Sequence, residues 1–133
     1  FEAIHTNLIG AIQMTFAAYP AMQKQRSGTI VNINSVRGNK GKDTEAIYCA
    51  SKFGLRGFCE SLRPEAQKHG IRILEFFPGG MKTHFFDKIG RDKVEYDGFM
   101  EPKDVAQLVA TSSSTPPNIV ITQTVIERFS KKY

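Results

Sequence analysis

Cysteine is scarce in this chain of 133 residues. Cys49 and Cys59 are the only two, ten positions apart on one predicted helix. Ten residues of helix separate them by roughly 15 Å of rise, too far for a disulfide between them. No C-x-x-C and no Cys/His ligand spacing occurs, and His5, His69 and His84 have no carboxylate or cysteine at ligand distance in sequence. The chain reads as reduced, cytosolic and free of metal. Long apolar runs are missing too, so no membrane span is expected. The opening residues 1–6 lack the basic start and apolar core of a signal peptide, and a chain that begins with Phe1 reads as an excerpt. Eleven glycines include no G-x-G-x-x-G and no G-x-x-x-x-G-K-[ST]; Gly41-Lys42-Asp43 is a partial echo only. There is no repeat, no low-complexity tract and no polybasic arm. Eighteen basic against thirteen acidic residues give a net charge of +5 and a pI near 9.3, spread along the chain as a solvated basic surface.

What is present is an ordinary globular balance, 41% hydrophobic and 23% charged, long enough for one compact domain. Over residues 2–26, Ile4, Leu8, Ile12, Phe16 and Met22 recur at helical spacing. Pro20 should bend or split that helix, and Ser27-Gly28 should stop it with a left-handed glycine. Residues 29–34 are a short β-branched run bounded by turn residues, expected as a strand buried on both faces. Residues 36–43 read as a loop. Asp43 or Thr44 is placed to cap a helix from about residue 45 that carries Ile47, Ala50, Phe53, Leu55, Phe58 and Leu62 and ends at His69-Gly70. Pro64 predicts a kink or a loosened last turn in it. A second strand spans 71–77 and closes at Pro78-Gly79-Gly80. Residues 81–100 mix aromatics and charges without a period, which predicts a short helix and a lid. A helix over 102–112 starts on a tolerated proline. Thr115-Pro116-Pro117 breaks it, a last strand covers 118–126, and 128–133 is a basic tail.

Helices alternating with strands imply a parallel sheet with right-handed crossovers, and ligands of such sheets lie beyond the carboxyl ends of the strands. Two loops with chemical character fall on that rim, the one that starts at Ser35 and the one that starts at Pro78. In the helix after Ser35, Tyr48 and Lys52 stand at i and i+4 on one face. An ammonium beside a phenol favours the phenolate, so this spacing predicts a Tyr48 pKa lowered toward the working range of an acid/base catalyst. Ser35 offers a hydroxyl that can polarise a carbonyl. Tyr-x-x-x-Lys alone is weak: four tyrosines and eleven lysines in this chain produce about one third of a match by chance. Taken singly, Tyr48 is a half-buried helix aromatic, Ser35 a turn residue, Asn7 a solvated polar residue and Pro78-Gly79 a turn.

The order of the motifs changes that. Asn7-Leu8-Ile9-Gly10, the run from Gly28 to Ser35, Tyr48-Cys49-Ala50-Ser51-Lys52 and Pro78-Gly79-Gly80-Met81-Lys82-Thr83 together resemble the short-chain dehydrogenase/reductase family in its classical branch. The resemblance is close over residues 2–83 and looser beyond. It implies a doubly wound, Rossmann-like α/β parallel sheet, truncated here to three strands with their helices as a single partial domain. It also implies Tyr48 as general acid/base, Lys52 lowering its pKa and binding the cofactor ribose, and Ser35 bonding the substrate carbonyl or hydroxyl. Asn7 would anchor a water in the proton relay. Pro78, Gly79, Gly80, Met81 and Thr83 would hold the nicotinamide end of NAD or NADP. Residue types agree, because hydride transfer to a carbonyl leaves an alkoxide that needs a proton and a positioned donor.

That family's phosphate-cradling glycine motif has no counterpart in residues 1–133, so the adenine half of the nucleotide site is missing from the chain. A sheet cut in this way exposes the apolar edge strand 30–33. The expected function is NAD(P)-dependent interconversion of a hydroxyl and a ketone on a small organic substrate. The isolated chain would be weakly active or inactive, because remote cofactor binding energy is lost. The alternative is a non-catalytic dimerisation module, since the family commonly forms homo-oligomers through the two helices near 2–26 and 45–69. Nucleic-acid and membrane partners are not expected. Substrate choice would lie with 36–47 and 83–100, where Phe85 and Phe86 are candidate pocket walls.

Overall fold

A computed structural model of the chain describes residues 1–84 and 98–129. The chain opens with helix α1 (Glu2–Ile4), a π-helical segment (His5–Ile9) and helix α2 (Gly10–Gln25), followed by strand β1 (Gly28–Ile33) and a 3₁₀ turn (Val36–Gly38). Helix α3 (Ala46–Lys68), strand β2 (Ile71–Pro78), helix α4 (Pro102–Ser113) and strand β3 (Gln123–Ile126) complete the order. The three strands form one parallel sheet in the order β1-β2-β3. This is the truncated α/β sheet that the sequence leads one to expect.

β2 is the centre, and its composition explains why. Every residue from Ile73 to Pro78 is buried, as suits a strand with a neighbour on each side. Side chains alternate between faces. Ile71 and Ile73 join Ile30 under a layer of Tyr19, Leu55, Cys59, Leu62 and Ala66 from α2 and α3. On the opposite face Arg72 donates to the Ser113 and Thr115 carbonyls and to the Thr29 hydroxyl, fastening the end of α4 to β1 and β2. Helices therefore cover both faces.

Several local expectations are corrected. α2 runs through Pro20 and α3 through Pro64 without a break in either helix. The unexpected feature is the π-helical turn at His5–Ile9, one residue wider per turn than an α-helix. It is Arg26 (φ 56°), not Gly28, that takes the left-handed position after α2, and Gly28 begins β1. Gly70 (φ 72°) is the glycine the fold requires: a Cβ there would drive into the Arg26 carbonyl. Neither Asp43 nor Thr44 occupies the N-cap of α3. That place belongs to Glu45, which makes no side-chain cap bond and pairs instead with Lys42 (2.9 Å) and Arg37 (3.3 Å). β1 alternates buried and part-exposed residues instead of being buried throughout, and Ile33 is exposed. It lies at an edge of the sheet among the described residues. β3 is four residues long, shorter than the expected 118–126. The short helix and lid expected over 81–100, with Phe85 and Phe86, fall mostly outside the described residues.

Candidate functional site

β1 ends at Ile33, and Asn34 continues its pairing through one more bond to the Phe76 carbonyl. The chain then turns sharply. Ser35 is extended (φ −159°, ψ 157°), its Oγ accepts from the Arg37 N–H, and its carbonyl accepts from Gly38 to close the 3₁₀ turn. Gly38 is small for a reason, since a Cβ would stand 2.7 Å from Asn34 Oδ1. This turn delivers Ser35 to the carboxyl end of the sheet, 8% exposed.

α3 brings Tyr48 and Lys52 to the same place. The Lys52 ammonium, on a residue only 9% exposed, donates to the Ile33 carbonyl (3.1 Å) and stands 5.9 Å from the centroid of the Tyr48 ring. The Ser35 hydroxyl faces Tyr48 closely enough to favour its ionised form. From the π-helical turn, Asn7 Nδ2 donates to Ser51 Oγ (3.2 Å), which itself donates to the Tyr48 carbonyl (2.7 Å). On the other side, Gly79 donates to the Ile126 carbonyl, and a Met81–Met100 bridge pins the strand exit. Phe99 crowds Gly80, where a Cβ would sit 2.8 Å from its ring. One cavity of about 470 Å³ is lined by Asn7, Ser35, Tyr48 and Lys52, and equally by Pro78, Gly79, Gly80, Met81 and Thr83. All nine residues singled out in the sequence thus meet.

The electrostatics differ from expectation in one respect. Burial is the main influence on Tyr48 and pushes its phenol above the ordinary 10.0. The Ser35 hydroxyl and Arg37 pull it down, while Glu45 and Cys49 add to the rise. The lowering expected from Lys52 is not realised, because the ammonium faces a backbone carbonyl at contact distance and the ring centre only at 5.9 Å. Burial likewise holds Lys52 below its ordinary 10.5.

A model of the short chain dehydrogenase family matches residues 2–94. That is more than half of the chain. The chain belongs to the short chain dehydrogenase family. Carbonyl reductase family member 4 of Xenopus laevis is 39% identical over 114 residues, covering 83% of this chain and 48% of the relative. Sepiapterin reductase of Chlorobaculum tepidum is 33% identical, covering 92% of this chain and 50% of that protein. A serine dehydrogenase solved in its closed form with NADP+ superposes with a TM-score of 0.86 at 29% identity, over 92% of this chain and 53% of the other. The chain spans about half the length of the curated relatives it matches.

In this family member, sequence reasoning assigned no role to Asn34, which lines the cavity, or to the polar pair Arg63 and Glu75 behind it. Asn34 and Glu75 are both buried and hydrogen-bonded to each other, and Arg63 reaches Glu75 from α3. A signal was present, since Glu75 is the one acid inside the apolar run from Ile71 to Phe77. Arg37, Lys42, Glu45, Phe99 and Arg128 also line the cavity. Arg128 stacks on the Phe99 ring at 4.5 Å, a contact between loops that no local pattern announces. Among the described residues no helix is long and apolar enough to cross a membrane, and no group of His, Cys, Asp and Glu is placed to hold a metal. Cys49 and Cys59 are buried free thiols.

Proposed function

We propose that the protein carrying this chain is an NAD(P)-dependent oxidoreductase that interconverts a hydroxyl and a ketone on a small organic substrate. The chain is the catalytic half of its domain. The observation that carries this reading is the meeting of Ser35, Tyr48 and Lys52 in one cavity beyond the carboxyl ends of β1 and β2. The relatives named as reductases support it, as does the NADP+ held by the serine dehydrogenase.

The residues present fit the nicotinamide end of the cofactor. Gly79 and Gly80 leave main chain bare along one wall of the cavity, and Lys52 supplies a cation on the other. Pro78, Met81 and Thr83 would complete that grip, and Lys52 would hold the ribose. The chain contains no G-x-G-x-x-G, so the fit within it stops at that end. A bound nicotinamide supplies or accepts the hydride.

The protein's residues manage the proton. Tyr48 donates its phenolic proton to the carbonyl oxygen as negative charge develops there, and it takes the proton back in the oxidative direction. Ser35 Oγ hydrogen-bonds the same oxygen and stabilises the charge. Lys52, held by the Ile33 carbonyl 5.9 Å from the centre of the Tyr48 ring, would bind the cofactor ribose beside Tyr48. Asn7 steadies the Tyr48 turn through Ser51 and lies where a water of the relay would be anchored. Because burial raises the phenol, it is protonated through neutral pH, so the reductive direction should hold its rate there and decline above pH 10. The test is label transfer: NAD(P)H carrying deuterium at both C4 positions, incubated with the protein that carries this chain and a panel of ketones, should yield the alcohol deuterated at the carbinol carbon. An alcohol formed without label, or no nicotinamide consumed across the panel, contradicts the reading.

A second reading has its own observation. Met14 and Phe16 on α2, with Ile47 and Phe53 on α3, leave large apolar surface exposed, which suits a non-catalytic dimerisation module or a homo-oligomeric enzyme. Sedimentation separates the two. A dimer with no hydride transfer favours the module, and a dimer that transfers label favours the oligomeric enzyme.

A further inference from the structure

Glu75 is the most fully buried charged residue described, 0% exposed at the middle of β2. Its register partners are Asn32 on β1 and Gln123 on β3, so a polar row crosses the sheet beneath α3. One carboxylate oxygen accepts from Asn34 Nδ2 (3.3 Å). The other accepts from Arg63 (3.1 Å) and from Gln123 (3.3 Å). Arg63 also donates to the Ile73 and Thr122 carbonyls. Asn34, 3% exposed, spends its remaining amide hydrogen on the Lys52 carbonyl (3.2 Å), while its Oδ1 accepts from the Ser35 N–H (2.9 Å). Both donors of that amide are therefore used, and both the Ser35 and the Lys52 main chains hang on it.

We infer that Asn34, anchored on Glu75 and its part-exposed partner Arg63, is a positioning residue that locks the Ser35 end of β1 against the Lys52 turn of α3. The inference rests on the proposed function, since it concerns the alignment of the same proton-transfer groups. Stability alone is a poor explanation of the network. Taking two charges out of water offsets most of what their attraction returns, and apolar replacements of buried ion pairs are often neutral or stabilising. An apolar residue at position 75 would suit a strand that carries Leu74, Phe76 and Phe77. A carboxylate instead satisfies the Asn34 amide, which fixes the amide plane and with it two main-chain groups on separate elements. Misplacement of a catalytic group by about 1 Å can cost about 100-fold in rate.

The experiment compares Asn34→Ala with Arg72→Ala in the protein that carries this chain. Arg72 fastens α4 to β1 and β2 at the far end of the sheet, so Arg72→Ala loses stability without touching the cavity. Tyr48 is followed by ¹³Cζ-tyrosine NMR titration, its signal assigned by its absence in Tyr48→Phe. The groups that act on that phenol are Glu45 and Cys49 on or beside α3, with Ser35 and Arg37 from the turn after β1; the Lys52 ammonium faces the ring from 5.9 Å. In Asn34→Ala, Ser35 is released from Tyr48, so the Tyr48 titration should move upward. kcat should fall roughly 10- to 100-fold with KM changed by less than about threefold. Arg72→Ala should shift neither. If Asn34→Ala loses stability as Arg72→Ala does while Tyr48 titrates at its wild-type position and kcat is retained, the inference is overturned. Should Asn34→Ala not fold, Asn34→Ser keeps a hydroxyl toward Glu75 but is too short for the Lys52 carbonyl; a wild-type titration in that variant overturns the inference equally. A fully active Tyr48→Phe would instead sink the acid/base reading, and the NMR readout, which needs no turnover, would still decide the positioning role.

Discussion

Along the first two turns of α3 the buried positions are Cys49, Ser51 and Lys52, a thiol, a hydroxyl and an ammonium; along the rest they are Leu55, Cys59, Leu62 and Ala66. One helix thus buries mainly polar groups and then mainly apolar ones, with the Cys59 thiol, which accepts from Asn32 Nδ2 (3.2 Å), as the exception in the second half. In the first half the hydroxyl and the ammonium are answered: Ser51 by Asn7 and the Tyr48 carbonyl, Lys52 by the Ile33 carbonyl. In the second half Leu55 and Leu62 press on Ile30, Ile71 and Ile73, burial worth about 1.5–3 kcal/mol for each such side chain. The difference teaches that the carboxyl-terminal part of the helix is held to the sheet mainly by apolar contact and the amino-terminal part by polar bonds, from Lys52 to the Ile33 carbonyl and from Asn34 to the Lys52 carbonyl.

If the two halves do separate jobs, damage to each should be read on a different instrument. The largest effect is expected at the site itself. Ser35→Ala removes the hydroxyl that faces Tyr48 in the cavity, and kcat should fall about 100-fold or more with little loss of thermal stability. Leu55→Ala should do the reverse, lowering unfolding free energy by about 2–5 kcal/mol in denaturant titration while turnover per folded molecule stays near wild type. A large loss of kcat in folded Leu55→Ala would break the comparison.

Smaller effects sharpen it. The Cys59 thiol is pushed up to about 12, chiefly by burial and then by the nearby Glu75 charge, from 9.0. A folded pKa above the unfolded one means that this contribution to stability is fully present below pH 9 and is lost as pH rises from 9 through about 12. Denaturation midpoints measured from pH 8 upward should therefore decline less steeply in Cys59→Ala than in wild type. Least of all should Glu60→Gln matter. Its i,i+4 pair with Arg56 is solvent-exposed, and its loss should stay within about 0.5 kcal/mol.

Much of this was legible in the residues. The parallel sheet followed from β-branched runs separated by helical spacing, and the cavity from Ser35, Tyr48, Lys52 and Pro78-Gly79 falling on strand ends or one helix face. What sequence periodicity could not reveal was pairing at a distance. Glu75 meets Asn34, forty-one positions away, and Gln123, forty-eight away, only because the register of three strands aligns them. The direction of the Tyr48 shift is hidden from the sequence for a related reason. Spacing along α3 places Lys52 beside Tyr48 but does not tell how deeply the phenol is buried or that the ammonium turns to the Ile33 carbonyl. The π-helical turn at His5–Ile9 and the unbroken helix through Pro64 reflect tertiary packing that overrides local preference.

The central claim is that the amino-terminal half of α3 performs proton transfer, and Tyr48→Phe tests it most directly. This substitution deletes one oxygen and keeps the ring that packs beside Lys52. In the protein that carries this chain, with a ketone it reduces, turnover of Tyr48→Phe should fall by at least about 100-fold. Nicotinamide affinity and unfolding midpoint should stay close to wild type. Turnover equal to wild type in the folded variant would contradict the account.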